Sequence, residues 1–188
     1  MSSVPLAVPR SSAGYRPFPN LAHRNALQQR FEVPALVRAL GLPRDRRVLE
    51  VGCGRGVALP ALARLLAPSL LVGLELEPEL VEEARRALRC TGLDIPVFQG
   101  DVRRLPFADG SFDIVVDFGT CYHIADPGRA LAEIERVLSP GGLFVHETPV
   151  GQLFAHPARS LGRTLPWSCA PALARRRHAF LWASESKA

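Results

Sequence analysis

A glycine-rich turn that follows an apolar strand constrains the fold of this chain more than any other feature. Residues 48–56 read VLEVGCGRG, with three glycines at alternate positions after an acidic residue. Glycine has no Cβ and tolerates positive φ, so such a turn brings bare backbone against a ligand. A dinucleotide-binding turn reads G-x-G-x-x-G instead, and here Val57 takes the place of its last glycine. Since the carboxylate of Glu50 would repel a phosphate, the turn predicts a nucleoside ligand that carries positive charge.

Strands and helices alternate along the middle of the chain. Apolar runs predict strands at Arg47–Val51, Ser69–Leu74, Ile95–Gln99, Phe112–Phe118 and Leu143–Glu147. Periodic segments between them predict helices at Val57–Leu66, Pro78–Arg89 and Asp126–Leu138. This alternation indicates an α/β fold with a mostly parallel central sheet, whose ligands bind at the carboxyl ends of the strands.

The two ends of the chain are expected to complete one domain. Residues 1–20 hold prolines and serines and predict a flexible tail, while residues 21–188 form a single domain. Within this domain, residues 21–41 form N-terminal helices, residues 46–148 the cofactor-binding core and residues 149–188 a short closing segment. We expect two separate N-terminal helices, because Pro34 is not expected inside a continuous one. Residues 178–184 alternate and predict a closing strand, antiparallel at the sheet edge.

Composition and charge are those of an ordinary globular protein. The net charge is +5, but the arginines are spread along the chain, which argues against a nucleic-acid partner. No apolar run of about 18 residues occurs, which argues against a membrane span. The four cysteines are far apart, form no metal-ligand pattern and suggest a reducing cytoplasm.

Five motifs, in order, are similar to those of the class I S-adenosylmethionine-dependent methyltransferases that act on small molecules. They are the glycine turn, the acid of Gly73-Leu74-Glu75, QGDV at 99–102 with LPF at 105–107, SFDIV at 111–115 and RVLSPGG at 136–142. The resemblance extends from Arg24 to Thr148 and implies a Rossmann-like fold. It also implies S-adenosyl-L-methionine as cofactor and S-adenosyl-L-homocysteine as product. The sequence shows no clear cluster of metal ligands, so no metal is expected.

The resemblance places cofactor contacts at four strand ends. They are Glu50, Gly52, Cys53 and Gly54 at the glycine turn, Glu75 and Leu76 at the ribose, Asp101 and Val102 at the adenine, and Asp117, Phe118 and Gly119 beside the reacting methyl group. A strand-end carboxylate such as Glu75 suits a pair of ribose hydroxyls. Asp101 has an alternative role as the cap of a short following turn.

The catalytic residue is left open by the sequence. His123 follows the fourth strand and could act as a general base, because an imidazole titrates near neutrality. A packing role for His123 is the alternative. Methyl transfer needs no catalytic triad, and the sequence contains none.

Three functional hypotheses follow. The first is transfer of a methyl group to an O, N, S or C nucleophile of a small molecule, and the second is a non-catalytic protein that binds the cofactor as a partner or sensor. The third, a nicotinamide-dependent oxidoreductase, conflicts with the glycine spacing. The fourth strand is not followed by an Asn/Asp-Pro-Pro-Tyr/Phe motif, which argues against methylation of nucleobase or glutamine amino groups. The acceptor and the oligomeric state are not determined by the sequence.

Overall fold

The computed structural model describes residues 21–155 and 164–188, and the predicted tail at 1–20 lies outside this range. The described chain forms one seven-stranded sheet in the order β3-β2-β1-β4-β5-β7-β6. The strands are β1 Arg47–Val51, β2 Leu70–Glu75, β3 Val97–Gln99, β4 Phe112–Asp117, β5 Leu138–Glu147, β6 Leu173–His178 and β7 Trp182–Lys187. The helices are α1 Leu21–Leu27, α2 Val33–Leu40, α3 Leu59–Leu66, α4 Pro78–Cys90, α5 Thr120–His123, α6 Pro127–Val137 and α7 Pro149–Ala155.

The pairing of the strands confirms the predicted fold class. Strands β1 to β5 pair in parallel, and β7 runs antiparallel to both β5 and β6. The chain proceeds outward from β1 to β3 and then returns to the other side of β1 as β4. This reversal of strand order makes the carboxyl ends of β1 and β4 the expected ligand crevice.

Amphipathic helices cover both faces of the sheet. Helix α4 shows how the sequence produces this packing, since Val81, Ala84 and Leu88 recur at helical spacing and are all buried. On the opposite face, Leu131 and Ile134 of α6 are fully buried. Each fully buried side chain of this size stabilises the fold by about 1.5–3 kcal/mol, so the scaffold that holds the strand ends is rigid.

The N-terminal helices differ from the prediction. The backbone is helical from Leu21 to Leu40, and a π-helical turn at Gln28–Glu32 joins α1 to α2. Within this turn, the Val33 N–H donates to the carbonyl of Gln28, five residues earlier. The wider turn accommodates Pro34, which lacks an N–H and would crowd the carbonyl four residues before it. The prediction of two separate helices was therefore wrong, although Gly41 ends the second as expected, at φ +59°.

The structure confirms an antiparallel closing strand, β7, but places it later in the chain than predicted. The predicted strand at 178–184 spans a tight turn between β6 and β7, in which the Ala179 N–H donates to the carbonyl of Trp182 at 2.8 Å. Ala179 and Trp182 pack against the core, whereas Phe180 is 70% exposed. The turn therefore has the alternation of buried and exposed apolar residues that is typical of a strand. Strand β5 begins at Leu138, five residues before its predicted start. Leu138 pairs with Phe112 of β4, and the pairing resumes at Leu143 and Ile114 after a shift in register.

Candidate cofactor site

Four buried carboxylates lie where neighbouring strands end. They are Glu50 in β1, Glu75 in β2, Asp117 in β4 and Glu147 in β5, each at most 8% exposed. Each is the last or the penultimate residue of its strand. Because these strands are parallel, the four side chains gather at one edge of the sheet, which we call the acidic edge. A cluster of buried acids at a strand-end crevice is the arrangement expected of a ligand site.

The glycine turn leaves backbone open to a ligand at this edge. Gly52 has φ +63°, and a Cβ on this residue would collide with the hydroxyl of Thr120. Gly54 has φ +55°, and a Cβ there would meet no atom within 4 Å. The first glycine is therefore required for packing against α5, and the second leaves space over the backbone. The side chain of Cys53 is buried in the core, so only its backbone faces the crevice.

The carboxylate of Glu75 is held in place by three backbone donors. Its Oε2 accepts the Gly54 N–H at 2.8 Å, and its Oε1 accepts the N–H groups of Leu76 at 2.8 Å and Glu77 at 3.1 Å. This contact links the end of β2 to the glycine turn. Each carboxylate oxygen has two lone pairs, and the three donors occupy both sites on Oε1 and one on Oε2, so a fixed Glu75 can still accept one hydrogen bond from a ribose hydroxyl at Oε2.

Glu50 is the least satisfied of the four acids. It is 2% exposed, and its Oε2 has no hydrogen-bond partner among the described residues. Burial, together with the nearby charges of Glu75 and Asp117, raises the pKa of Glu50 to about 8. An unpaired carboxylate is costly inside a protein, and a ligand cation placed beside it would remove that cost.

Asp101, predicted to contact adenine, makes an ion pair within its own loop. The Arg103 guanidinium binds both carboxylate oxygens, with the shortest distance at 2.6 Å, and the Arg103 N–H donates to Oδ1 at 2.8 Å. Although burial opposes the effect, these hydrogen bonds hold the pKa of Asp101 below its ordinary value. The alternative role of Asp101 as a turn cap is therefore present in the structure. Val102 beside it is buried.

Asp117 organises the loop after β4. Its carboxylate accepts the N–H groups of Thr120 at 2.6 Å and Cys121 at 3.1 Å, and so caps α5. Burial raises the pKa of Asp117. The cap fixes Phe118 and Gly119 at the crevice, and Gly119 has φ +102°. His123 lies at the far end of α5 and is half-buried.

Sequence reasoning missed Glu147 and Gln152. Gln152 of α7 donates from Nε2 to Glu147 Oε2, and Gln152 is fully buried. The Tyr122 hydroxyl donates to the carbonyl of Glu147 at 3.0 Å. A signal for Glu147 was present, because it ends an apolar strand as Glu75 does. No comparable signal marked Gln152, since α7 was not predicted.

A cavity of about 390 Å³ lies apart from this edge, between α1, the start of α3 and α4. It is lined by Asn25, Gln29, Arg55, Gly56, Val57, Pro60, Glu83, Arg86, Ala87, Leu88 and Thr91. None of the predicted cofactor contacts lines it. Within the described residues, no group of histidine, cysteine and acidic side chains could hold a metal ion, and no helix is long and apolar enough to cross a membrane.

Comparisons with known proteins agree with this geometry. A family model described as a methyltransferase domain matches residues 49–146. The chain is 39% identical to a fatty-acid O-methyltransferase of Mycolicibacterium smegmatis, over 54% of this chain and 36% of that protein. It is 38% identical to a phthiotriol/phenolphthiotriol dimycocerosates methyltransferase of Mycobacterium tuberculosis, over 66% of this chain and 41% of that protein. The chain therefore spans less than half the length of these relatives.

A solved structure shows the same fold over nearly its whole length. It is a SAM-dependent methyltransferase from Aquifex aeolicus, with a TM-score of 0.71 at 17% identity, covering 87% of this chain and 93% of that one. The glycine turn and the strand-end acids all fall within the matched segment or at its border. The chain belongs to the class I S-adenosylmethionine-dependent methyltransferases.

Proposed function

We propose that this chain binds S-adenosylmethionine at the acidic edge and transfers its methyl group to an apolar small molecule. The observation that carries the proposal is Glu50, a buried carboxylate with an oxygen that no described residue hydrogen-bonds. The cofactor has two cationic groups, an ammonium and a sulfonium, and either would compensate this charge. A dinucleotide would instead bring phosphates to a cluster of carboxylates.

The chain's residues fit the other parts of the cofactor as well. The open backbone at Gly54 suits the methionine portion, and the fixed carboxylate of Glu75 suits the ribose. Asp101 can accept from the adenine amino group if Arg103 yields one of its contacts.

Bound S-adenosylmethionine supplies an electrophilic methyl group on a sulfonium, and its leaving group is a neutral thioether. The protein therefore needs no strong acid, and its task is to orient the acceptor and to exclude water. The capped loop at Asp117 and the buried wall of β5 supply that rigid environment.

Exposed apolar side chains around the acidic edge support an apolar acceptor. Phe31 is 65% exposed in the π-helical turn, Leu153 is 41% exposed on α7 and Phe180 is 70% exposed in the β6–β7 turn. The Thr148 hydroxyl donates to the carbonyl of Phe180 at 2.9 Å, which ties that turn to the end of β5. Two relatives named above act, by their names, on fatty acids and on phthiotriol or phenolphthiotriol dimycocerosates, and they support the apolar character of the acceptor but not its reacting group. The segment 156–163, which follows α7, lies outside the described residues.

Calorimetric titration with S-adenosylmethionine, S-adenosylhomocysteine and NADH tests the cofactor assignment. We expect micromolar binding of the first two and none of NADH. Glu50→Gln should weaken binding of S-adenosylmethionine by about tenfold or more, since a hydrogen bond to a charged group contributes about 1.5–3 kcal/mol. The control is Glu79→Gln, which changes an exposed acid on α4 and should have no effect. Binding of NADH, or equal binding by Glu50→Gln, would refute the assignment.

A further inference from the structure

We propose that Glu147, positioned by Gln152, is a catalytic carboxylate that accepts the proton of a neutral hydroxyl acceptor. This inference rests on the proposed function and deepens it. It assigns the acceptor class, an apolar molecule with an acidic hydroxyl such as a phenol, and excludes a carboxylate acceptor.

The placement of Glu147 is the first argument. It is the last residue of β5, and its neighbour His146 pairs with Asp117 at the end of β4. The carboxylate therefore lies beside the loop that follows β4, where the methyl group is expected. A Cβ on Gly119 of that loop would lie 2.7 Å from Gln152 Nε2 and 3.4 Å from Glu147 Oε2. Because Gly119 has no side chain, the loop can pass close to both groups.

The second argument is that Glu147 is held from two elements. Gln152 of α7 donates to its carboxylate, and α7 begins directly after the strand, where the Gly151 N–H donates to the Thr148 hydroxyl at 3.0 Å. The Tyr122 hydroxyl of α5 donates to the backbone carbonyl of Glu147. Because the Gln152 amide that fixes this buried carboxylate is a neutral donor, the carboxylate is suited to receive a proton.

The charges that face Glu147 favour a neutral acceptor. Asp117 approaches from β4, and Glu32 from the π-helical turn, where it pairs with Arg24 of α1 at 2.6 Å. Burial first, and then Asp117 and Glu32, raise the pKa of Glu147 to about 8, while Arg24 opposes the shift. A carboxylate acceptor would bring a further negative charge beside these acids, whereas a hydroxyl brings none.

The step balances in atoms and charge. The acceptor oxygen forms a bond to the methyl carbon, the carbon–sulfur bond breaks and its electron pair stays on sulfur. The hydroxyl proton passes to the Glu147 carboxylate. A neutral hydroxyl, a sulfonium and a carboxylate thus become an ether, a thioether and a carboxylic acid, which later returns its proton to water.

A matched pair of probes tests the acceptor class. The wild-type protein is incubated with S-adenosylmethionine and either para-octylphenol or para-octylbenzoate, which differ only in the reacting group. We expect methyl transfer to the phenol, with kcat rising between about pH 6 and about pH 9 as Glu147 ionises. Glu147→Gln should lower kcat by about 100-fold or more with S-adenosylmethionine affinity unchanged, and Glu79→Gln should match the wild type.

A second variant separates a catalytic role from a structural one. Gln152→Met removes the amide donor with little change in volume, so the pKa of Glu147 should rise and the pH profile should move to higher pH with its plateau retained. A structural role alone would change stability and leave the profile in place.

The outcomes also separate this inference from the proposed function. Methylation of the benzoate alone, full activity of Glu147→Gln, or cofactor binding without transfer to the phenol would overturn the inference while cofactor binding stands. Absence of S-adenosylmethionine binding would overturn the proposed function, and the inference with it.

Discussion

The two ends of the central sheet treat their carboxylates in opposite ways. At the amino end, Asp113 of β4 accepts from the backbone N–H of Arg47 at 3.0 Å, from its guanidinium Nε at 3.1 Å and Nη2 at 2.7 Å, and from the Ser139 hydroxyl at 3.0 Å. At the carboxyl end, Glu50 is more deeply buried and faces other acids instead of a cation. Both oxygens of Asp113 are hydrogen-bonded, whereas Oε2 of Glu50 has no partner among the described residues.

The pKa directions express the same difference. Hydrogen bonds from Arg47 hold the pKa of Asp113 well below its ordinary value, whereas burial raises the pKa of Glu50 to about 8. The paired acid stabilises the folded chain by itself. Glu50, which lacks such a partner, reduces the stability of the folded chain when it is ionised, and such a cost is typical of residues retained for binding or catalysis.

The largest expected effect is that of Gly52→Ala, which disrupts the carboxyl end alone. The new Cβ would collide with Thr120 in a backbone at φ +63°. Left-handed strain of about 1–2 kcal/mol and overpacking of about 1–3 kcal/mol should together lower the free energy of unfolding by about 2–5 kcal/mol. Chemical denaturation measures it. Gly92→Ala is the matched control, since Gly92 has φ +70° but no atom within 4 Å of a Cβ, and equal losses for both variants would show that the contact with Thr120 is unimportant.

Removal of the paired acid should have the next largest effect. Asp113→Ala should lower the free energy of unfolding by about 1–3 kcal/mol, because it leaves a backbone N–H and a guanidinium without their acceptor. The folded-state pKa of Asp113 is depressed, so this contribution is present above the ordinary pKa of 3.8 and is lost as the pH falls below it. The variant and the wild type should therefore converge in stability in acid. S-adenosylmethionine affinity should not change, and a tenfold loss would show that the two ends are coupled.

Removal of an unpaired acid should have the opposite sign. Glu50 has a raised folded-state pKa, so the folded state binds the extra proton, and stability falls as the pH rises from the ordinary value of 4.5 to about 8. Glu50→Gln abolishes that titration and should raise the free energy of unfolding by about 1 kcal/mol or more at pH values above about 8. Thermal unfolding over a pH series measures this difference. Destabilisation at alkaline pH would mean that Glu50 has a stabilising partner.

The smallest expected effect is that of Arg103→Gln at the edge of the site. The pair with Asp101 is partly exposed, so its loss should change stability by less than about 1 kcal/mol. The freed carboxylate should then improve S-adenosylmethionine affinity by a few-fold, as calorimetry can measure. A weaker affinity would instead indicate that Arg103 itself contacts the cofactor.

The sequence was sufficient to predict the features that depend on local pattern. The glycine turn, the parallel strands and the acid at Glu75 are each marked by a short stretch of sequence. The strands, for example, are marked by continuous apolar runs, because they are buried on both faces. The five motifs also predicted membership of the class I S-adenosylmethionine-dependent methyltransferases, which the comparisons confirmed. The individual cofactor contacts stay predictions.

Features that depend on distant parts of the chain were not predictable in this way. The pairing of Glu147 with Gln152 depends on how α7 folds back on β5, and the capping of α5 by Asp117 depends on the loop conformation after β4. The π-helical turn before Pro34 relieves the crowding between the proline ring and the carbonyl four residues earlier. This geometry is rare, and residue preferences do not predict it. The β6–β7 turn was misread because its apolar residues pack against the core as a strand would.

The most direct test of the central claim is the number of protons released when S-adenosylmethionine binds. Calorimetry near pH 7, in two buffers with different ionisation enthalpies, measures it. If a cofactor cation lies beside Glu50, binding should lower the raised pKa of that carboxyl and release a substantial fraction of one proton, and Glu50→Gln should abolish most of the release. Tight binding with no proton release, or with the same release in Glu50→Gln, would contradict the claim that the unpaired acid awaits the cation of the cofactor.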